Sequence, residues 1–202
     1  MNLPPPTQFD RWTFEKTKDV LSTLPGRLGF PKANILRFLD LEVHLHTGQI
    51  IDTTLNKPFD PKIEYIFFLL HQYSKAQEVP LTGNLINYKQ ISGGRVYAPV
   101  FEGRVVKPIQ QHLGSNPDLF AKSAQQLGGE LAQVGDLSFT ILALPRIPYT
   151  YALWRADEEF PARTSVFLDE SAGSYLDAEA HAHLASLTTI RILAVSRALA
   201  NE

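Results

Sequence analysis

Residues 137–154, LSFTILALPRIPYTYALW, decide the fold class of this chain. Leu137–Leu144 and Tyr149–Trp154 are dense in β-branched and aromatic side chains, the types that suit a pleated, half-buried surface, and both read as strands. Pro145 and Pro148 lie between them and have no amide to donate, so a connection wider than a tight hairpin is expected. Thr164–Leu168 reads as a third strand. Upstream, Asn34–Leu39 and Leu41–Leu45 have the same character, and Ile50 and Ile51 continue it after the Thr47-Gly48 turn. The strands cluster instead of alternating with crossover helices. That pattern defines an α+β fold, a largely antiparallel sheet packed with several helices in a single domain.

The helices announce themselves by period and by caps. From Phe9 to Leu24 apolar residues recur at helical spacing until Pro25-Gly26 stops the run. Asp60-Pro61 is a helix start, and Ile63, Ile66, Phe67, Leu70 and Tyr73 give the segment to about Gln77 a wide apolar face, as a core helix requires. Leu81–Ser92 looks extended or irregular. Phe101, Val105, Ile109 and Leu113 recur every four residues up to Gly114, with Pro108 forcing a looser turn before the regular helix. Asn116-Pro117-Asp118 opens another helix, which Gly128-Gly129 ends. Asp177 caps a long C-terminal helix burying Leu184, Leu187, Ile190 or Arg191, and Val195.

Bulk properties narrow the functional classes. The 202 residues suit one domain, residues 9–202, after a polyproline-like tail over residues 1–8. A net charge of −2 gives no bulk electrostatic case for nucleic acid or an anionic membrane. The absence of cysteine excludes disulfides, thiolate metal sites and cysteine nucleophiles within the chain. MNLPPPTQFDRW lacks the apolar stretch of a signal peptide, and the longest apolar run, Tyr65–Leu70, is too short to span a bilayer. A cytoplasmic location is the resulting expectation.

Taken in order, LLHQYSKAQEVPLTGNLINYKQISGG, YAPVFEGR, LGG, GDLSF, PRIPYTYALWRADEEFPA and VFLDESAGSYL resemble an uncharacterised family, the domain of unknown function 3786. The resemblance covers about residues 35–193 and implies a setting in mainly anaerobic bacteria and archaea. Some relatives attach a four-cysteine iron–sulfur module, and some proteins with that module belong to corrinoid and one-carbon metabolism. An accessory role near tetrapyrrole or redox chemistry is what the resemblance implies. This chain lacks the module, and it has Leu85 and Tyr88 where relatives often carry tryptophan and phenylalanine. The family has no established catalytic residue to carry over.

The residues themselves offer several constellations. Three loops, Pro80–Gly94, Gly128–Asp136 and Trp154–Pro161, are expected to meet in one aromatic-walled cleft. Asp157 and Glu159 would share a face in extended backbone, flanked by Trp154 and Phe160, apolar walls of the kind that raise a carboxyl pKa or help two carboxylates hold a cation. A solvated loop neutralising Arg155 and Arg163 is the commoner outcome. Gly93 and Gly94, with Arg95, and the pair Gly128 and Gly129 can bring backbone amides close to a ligand, although turn and helix-stop roles explain both. Neither matches a P-loop or dinucleotide fingerprint. Asp136 reads as an amide acceptor in a turn. His44 and His46 share one face of the expected strand, the geometry of a two-histidine metal site, but no carboxylate at clear spacing completes it; Asp40, Glu42 and Asp52 are only candidates, and exposed surface histidines are the commoner outcome. His181 and His183, two apart on a helix, point to different sides. His71 satisfies a backbone carbonyl or serves as an axial ligand to a tetrapyrrole. Cofactor, partner and oligomeric state are not legible. A non-enzymatic ligand-binding or accessory protein is the leading reading. The alternatives are an enzyme working through the acidic run, and a protein-interaction module marked by Trp12 and Trp154.

Overall fold

The computed structural model describes residues 11–156 and 161–201, so the expected tail over residues 1–8 lies outside them. Helix α1 (Phe14–Leu21) leads into a four-stranded antiparallel meander of β1 (Ile35–Phe38), β2 (Leu41–His44), β3 (Ile50–Asp52) and β4 (Lys57–Pro58), paired in sequence order. Alternation turns Leu36, Phe38, Leu41 and Val43 into the core. Helix α2 (Ile66–Ser74) starts later than Asp60-Pro61 suggests. Glu64 and Tyr65 adopt left-handed backbone, φ 52° and 53°, which breaks the helix before it.

Next come β5 (Leu85–Asn87), α3 (Gly94–Phe101), a π-helical turn at Glu102–Val106, and α4 (Lys107–Leu113). The π turn is the looser segment that Pro108 demands, because a proline ring clashes with the carbonyl four residues before it. Helix α5 (Pro117–Gln126) is capped by the Asn116 side chain, which accepts from the Leu119 amide. It ends in a Schellman motif: Gly129 donates to Ala124 O and Gly128, at φ 75°, donates to Gln125 O.

A second antiparallel sheet completes the fold: β6 (Glu130–Ala132), β7 (Leu137–Leu144), β8 (Ile147–Trp154) and β9 (Arg163–Asp169) join β5 in the order β5-β9-β8-β7-β6. The wide connection expected at Pro145–Pro148 is a tight one. Leu144 pairs with Ile147 across Pro145-Arg146, and the register shifts between Leu142 and Leu144. That bulge lets Pro148, which cannot donate to the ladder, stand inside a central strand. Helix α6 (Ala178–Ala200) follows its Asp177 cap, whose carboxylate accepts from the Ala180 amide. It is buried on nearly every side against α2, α3, α5 and the large sheet. The class is therefore α+β with two antiparallel sheets, and α6, rather than α2, is the central helix.

One buried polar cluster ties the parts together. Arg191 of α6, 2% exposed, makes a bidentate pair with Asp40 at 2.7 Å and a second ion pair with Asp52 at 2.7 Å. Its guanidinium also lies 5.3 Å from the Phe59 ring centroid.

Candidate functional site

Period-two alternation gives the large sheet two chemically distinct faces. Phe139, Ile141, Tyr149, Tyr151, Val166 and Leu168 are buried on the helical side. There the Tyr151 hydroxyl donates to Ala185 O at 3.1 Å, and the Tyr149 hydroxyl meets His181 Nδ1 at 2.7 Å. The opposite face carries Thr140, Leu142, Pro148 and Thr150. Segments from the two sheet edges rise over it, one carrying Leu81, Gly83 and Leu85 and the other running from Gly128 to Val134. Together they enclose a groove of about 490 Å³, with Asp169 also in its wall.

Asp169 builds that wall. Its carboxylate accepts from the Thr82 amide (3.1 Å) and hydroxyl (3.2 Å), the Gly83 amide (2.7 Å) and the Ser171 amide (2.9 Å). Burial alone would raise its pKa, but the hydrogen bonds from Ser171, Thr82 and Gly83 prevail and hold it below the ordinary 3.8. On the groove floor the Thr140 and Thr150 hydroxyls lie 2.8 Å apart.

The expected cleft forms in part. Parts of the Pro80–Gly94 and Gly128–Asp136 loops share the groove, and Gly128 lines it. Trp154 does not. It sits half-buried at the end of β8, with Arg163 stacked 4.4 Å above its ring and Gly135 packed close against it. Asp136 accepts from the Arg155 amide at 2.7 Å, the turn role read from sequence, and both residues border a second cavity with Trp154. Asp157, Glu159 and Phe160 lie outside the described residues. Gly93, Gly94 and Arg95 stand apart from the groove at the start of α3. A Cβ on Gly94 would come within 2.0 Å of Tyr88 O, so close packing explains that glycine.

The histidines separate. His44 ends β2 while His46 falls in the turn beyond it, so the two do not share a strand face. Asp40 and Asp52 face Arg191 instead. Among the described residues no three His, Cys, Asp or Glu side chains converge to hold a metal ion. His71 packs against Trp12, ring centroids 4.9 Å apart, with its Nδ1 buried and without a hydrogen-bond partner, and burial lowers its pKa. It does not line the groove. His181 and His183 do point apart. His181 is buried beside Tyr149, whereas His183 Nδ1 bonds Glu64 at 2.7 Å, and the Ser186 hydroxyl donates to the other oxygen of that carboxylate at 2.7 Å. This Glu64–His183–Ser186 cluster is not among the constellations legible in the sequence. Its only local signal is the spacing of three between His183 and Ser186, which puts both on one helix face.

No described helix is long and apolar enough to cross a membrane. The whole is an α+β scaffold with a groove on the exposed face of its larger sheet. Residues 25–191 match the family model of the domain of unknown function DUF3786, and the chain belongs to that family. No curated protein and no solved structure matches it.

Proposed function

We propose that this protein binds, without turning it over, a ligand whose apolar body lies along the groove of the five-stranded sheet. One observation carries the reading. Leu81 from the segment before β5, Leu85 of β5 and Leu142 of β7 remain 49%, 43% and 49% exposed while lining the same groove. Exposed leucines scattered singly need no explanation, but three in one concavity do. Its volume of about 490 Å³ falls in the range of small-molecule sites, about 300–1,000 Å³. Covering each half-exposed leucine contributes roughly 1 kcal/mol to binding. The paired Thr140 and Thr150 hydroxyls share one proton between them, which leaves one O–H to donate to a polar end of the ligand. Asp169 is held ionised by four donors and is a poor proton acceptor, which favours retention over catalysis. The resemblance implies a role near tetrapyrrole chemistry through a module that this chain lacks, and a tetrapyrrole is one ligand to test.

The test is native mass spectrometry and an ultraviolet–visible spectrum of protein prepared without air, followed by titration with the apolar dye 1-anilinonaphthalene-8-sulfonate. The reading expects a co-purifying mass or saturable dye binding, and a loss of about tenfold in dye affinity in Leu142→Glu. Neither a bound mass nor dye binding, or equal dye affinity in the variant, would refute it. An absorbance typical of haem or corrinoid would assign the ligand class.

A further inference from the structure

We infer that the cavity of about 190 Å³ between α2 and the start of α6 is a binding site for a small zwitterion, an α-amino acid or a close relative. The inference is independent of the sheet groove. Arg11, Trp12, Tyr65, Phe68, Glu179 and His183 line the cavity.

The backbone here is strained. Glu64 and Tyr65 are consecutive left-handed residues, neither of them glycine. Each costs about 1–2 kcal/mol, and such strain persists where the surroundings over-determine it, often at ligand sites. The strained pair sends the Glu64 carboxylate to α6 and sets the Tyr65 ring against His183, centroids 4.9 Å apart. A carboxylate accepts, so the Glu64 contact places a proton on His183 Nδ1 and fixes the orientation of the ring. The bond from Ser186 suffices to tie Glu64 to α6. The bond to His183 does something more, because it orients a ring that lines the cavity.

The walls suit an ammonium group. Trp12 and Phe68 have ring centroids 5.0 Å apart, and Phe68 lies 6.3 Å from His183, so aromatic rings surround the space. Glu179 lines the cavity and Glu64 lies behind His183, so carboxylates are at hand to pair with an ammonium group. Arg11, in the same lining, matches the carboxylate of such a ligand. A volume of about 190 Å³ corresponds to roughly six waters at about 30 Å³ each, space for a molecule of about eight non-hydrogen atoms.

Norvaline and its two halves test this by calorimetric titration of the full chain: butylamine keeps the ammonium alone and pentanoate the carboxylate alone. Norvaline should bind about tenfold or more tighter than either, since each charge-assisted hydrogen bond is worth about that factor. Arg11→Gln should bring norvaline to the level of butylamine. Glu179→Gln should weaken norvaline and butylamine together, and a melting curve of each variant shows that it remains folded. Leu142→Glu, in the sheet groove, should leave norvaline binding unchanged. Norvaline binding no tighter than its halves, no binding of any of the three, indifference to Glu179→Gln, or loss in Leu142→Glu would each overturn the inference.

Discussion

Lowering the pH from about 7.5 to about 4.5 should destabilise this protein through one buried imidazole. His181 is fully buried, with Nε2 2.9 Å from Ala172 O and Nδ1 2.7 Å from the Tyr149 hydroxyl. A carbonyl only accepts, so Nε2 carries the proton and Nδ1 accepts from Tyr149, and the neutral ring satisfies both partners. Burial lowers the pKa from 6.5 to about 4, against smaller opposing effects of the Ala172 carbonyl and Asp177. The folded pKa is depressed, so below about 6.5 the unfolded chain takes up the proton first. Stability from this residue is whole above about pH 6.5 and drains away as the pH falls toward 4. At about 1.4 kcal/mol per pH unit, the full effect is about 3 kcal/mol, more than half of it gone by about pH 4.5. Urea unfolding followed by tryptophan fluorescence at about pH 7.5, 5.5 and 4.5 reads this directly. His181→Gln, which keeps a donor and an acceptor but does not titrate, should flatten the decline by about 2 kcal/mol over that range. Parallel declines in the two proteins would show that His181 is not its source.

Three further outcomes follow from single contacts. Arg191→Met leaves Asp40 and Asp52 buried side by side without their counter-charge and should cost about 3–5 kcal/mol in the same urea assay, with much of the loss recovered when Asp40→Asn and Asp52→Asn are added. Asp169→Ala removes the acceptor for Thr82, Gly83 and Ser171 and should speed hydrogen exchange at residues 82 and 83 about tenfold or more while β7 and β8 stay protected. Gly94→Ala sets a methyl against Tyr88 O and should cost about 1–3 kcal/mol, whereas Gly83→Ala, with nothing within 4 Å, should cost only its positive-φ strain, about 1 kcal/mol.

Much of the fold is written in short-range pattern, and the site is not. β7, β8 and β9 are legible because alternate residues face one helix-covered side, and α5 and α6 because Asn116 and Asp177 cap them locally. The β7–β8 hairpin is tight, against the expectation from its prolines, since Pro148 is admitted by a bulge in its partner strand, a feature of pairing that no single run displays. The late start of α2 has the same origin. Nothing near Glu64 or Tyr65 demands left-handed backbone; partners 119 and 122 residues away on α6 hold it there. Asp40 and Asp52 looked like ligands beside His44 because the residue that claims them, Arg191, lies 151 positions from Asp40.

These distant partners share one helix, and that bears on how a ligand would act. Successive α-helical residues turn by about 100°, so His181 and His183 diverge, one gripping Tyr149 of the large sheet and the other Glu64. Arg191, two turns further on, grips the small sheet. Helix α6 therefore cannot tilt without breaking a buried contact on some side. The α6 side of the cavity is in consequence nearly rigid, and a ligand there has little motion of that helix to suppress. Its binding should appear as global stabilisation, about 2.7 kcal/mol at a hundredfold excess over Kd, rather than as protection confined to one loop. A ligand in the sheet groove meets a different situation, because the 80–84 wall hangs on Asp169 and can loosen by itself. Hydrogen exchange with norvaline or with dye bound separates the two: uniform slowing across α6 and both sheets for the first, and slowing concentrated at residues 80–84 for the second. The reverse assignment would contradict the rigidity argued here for α6.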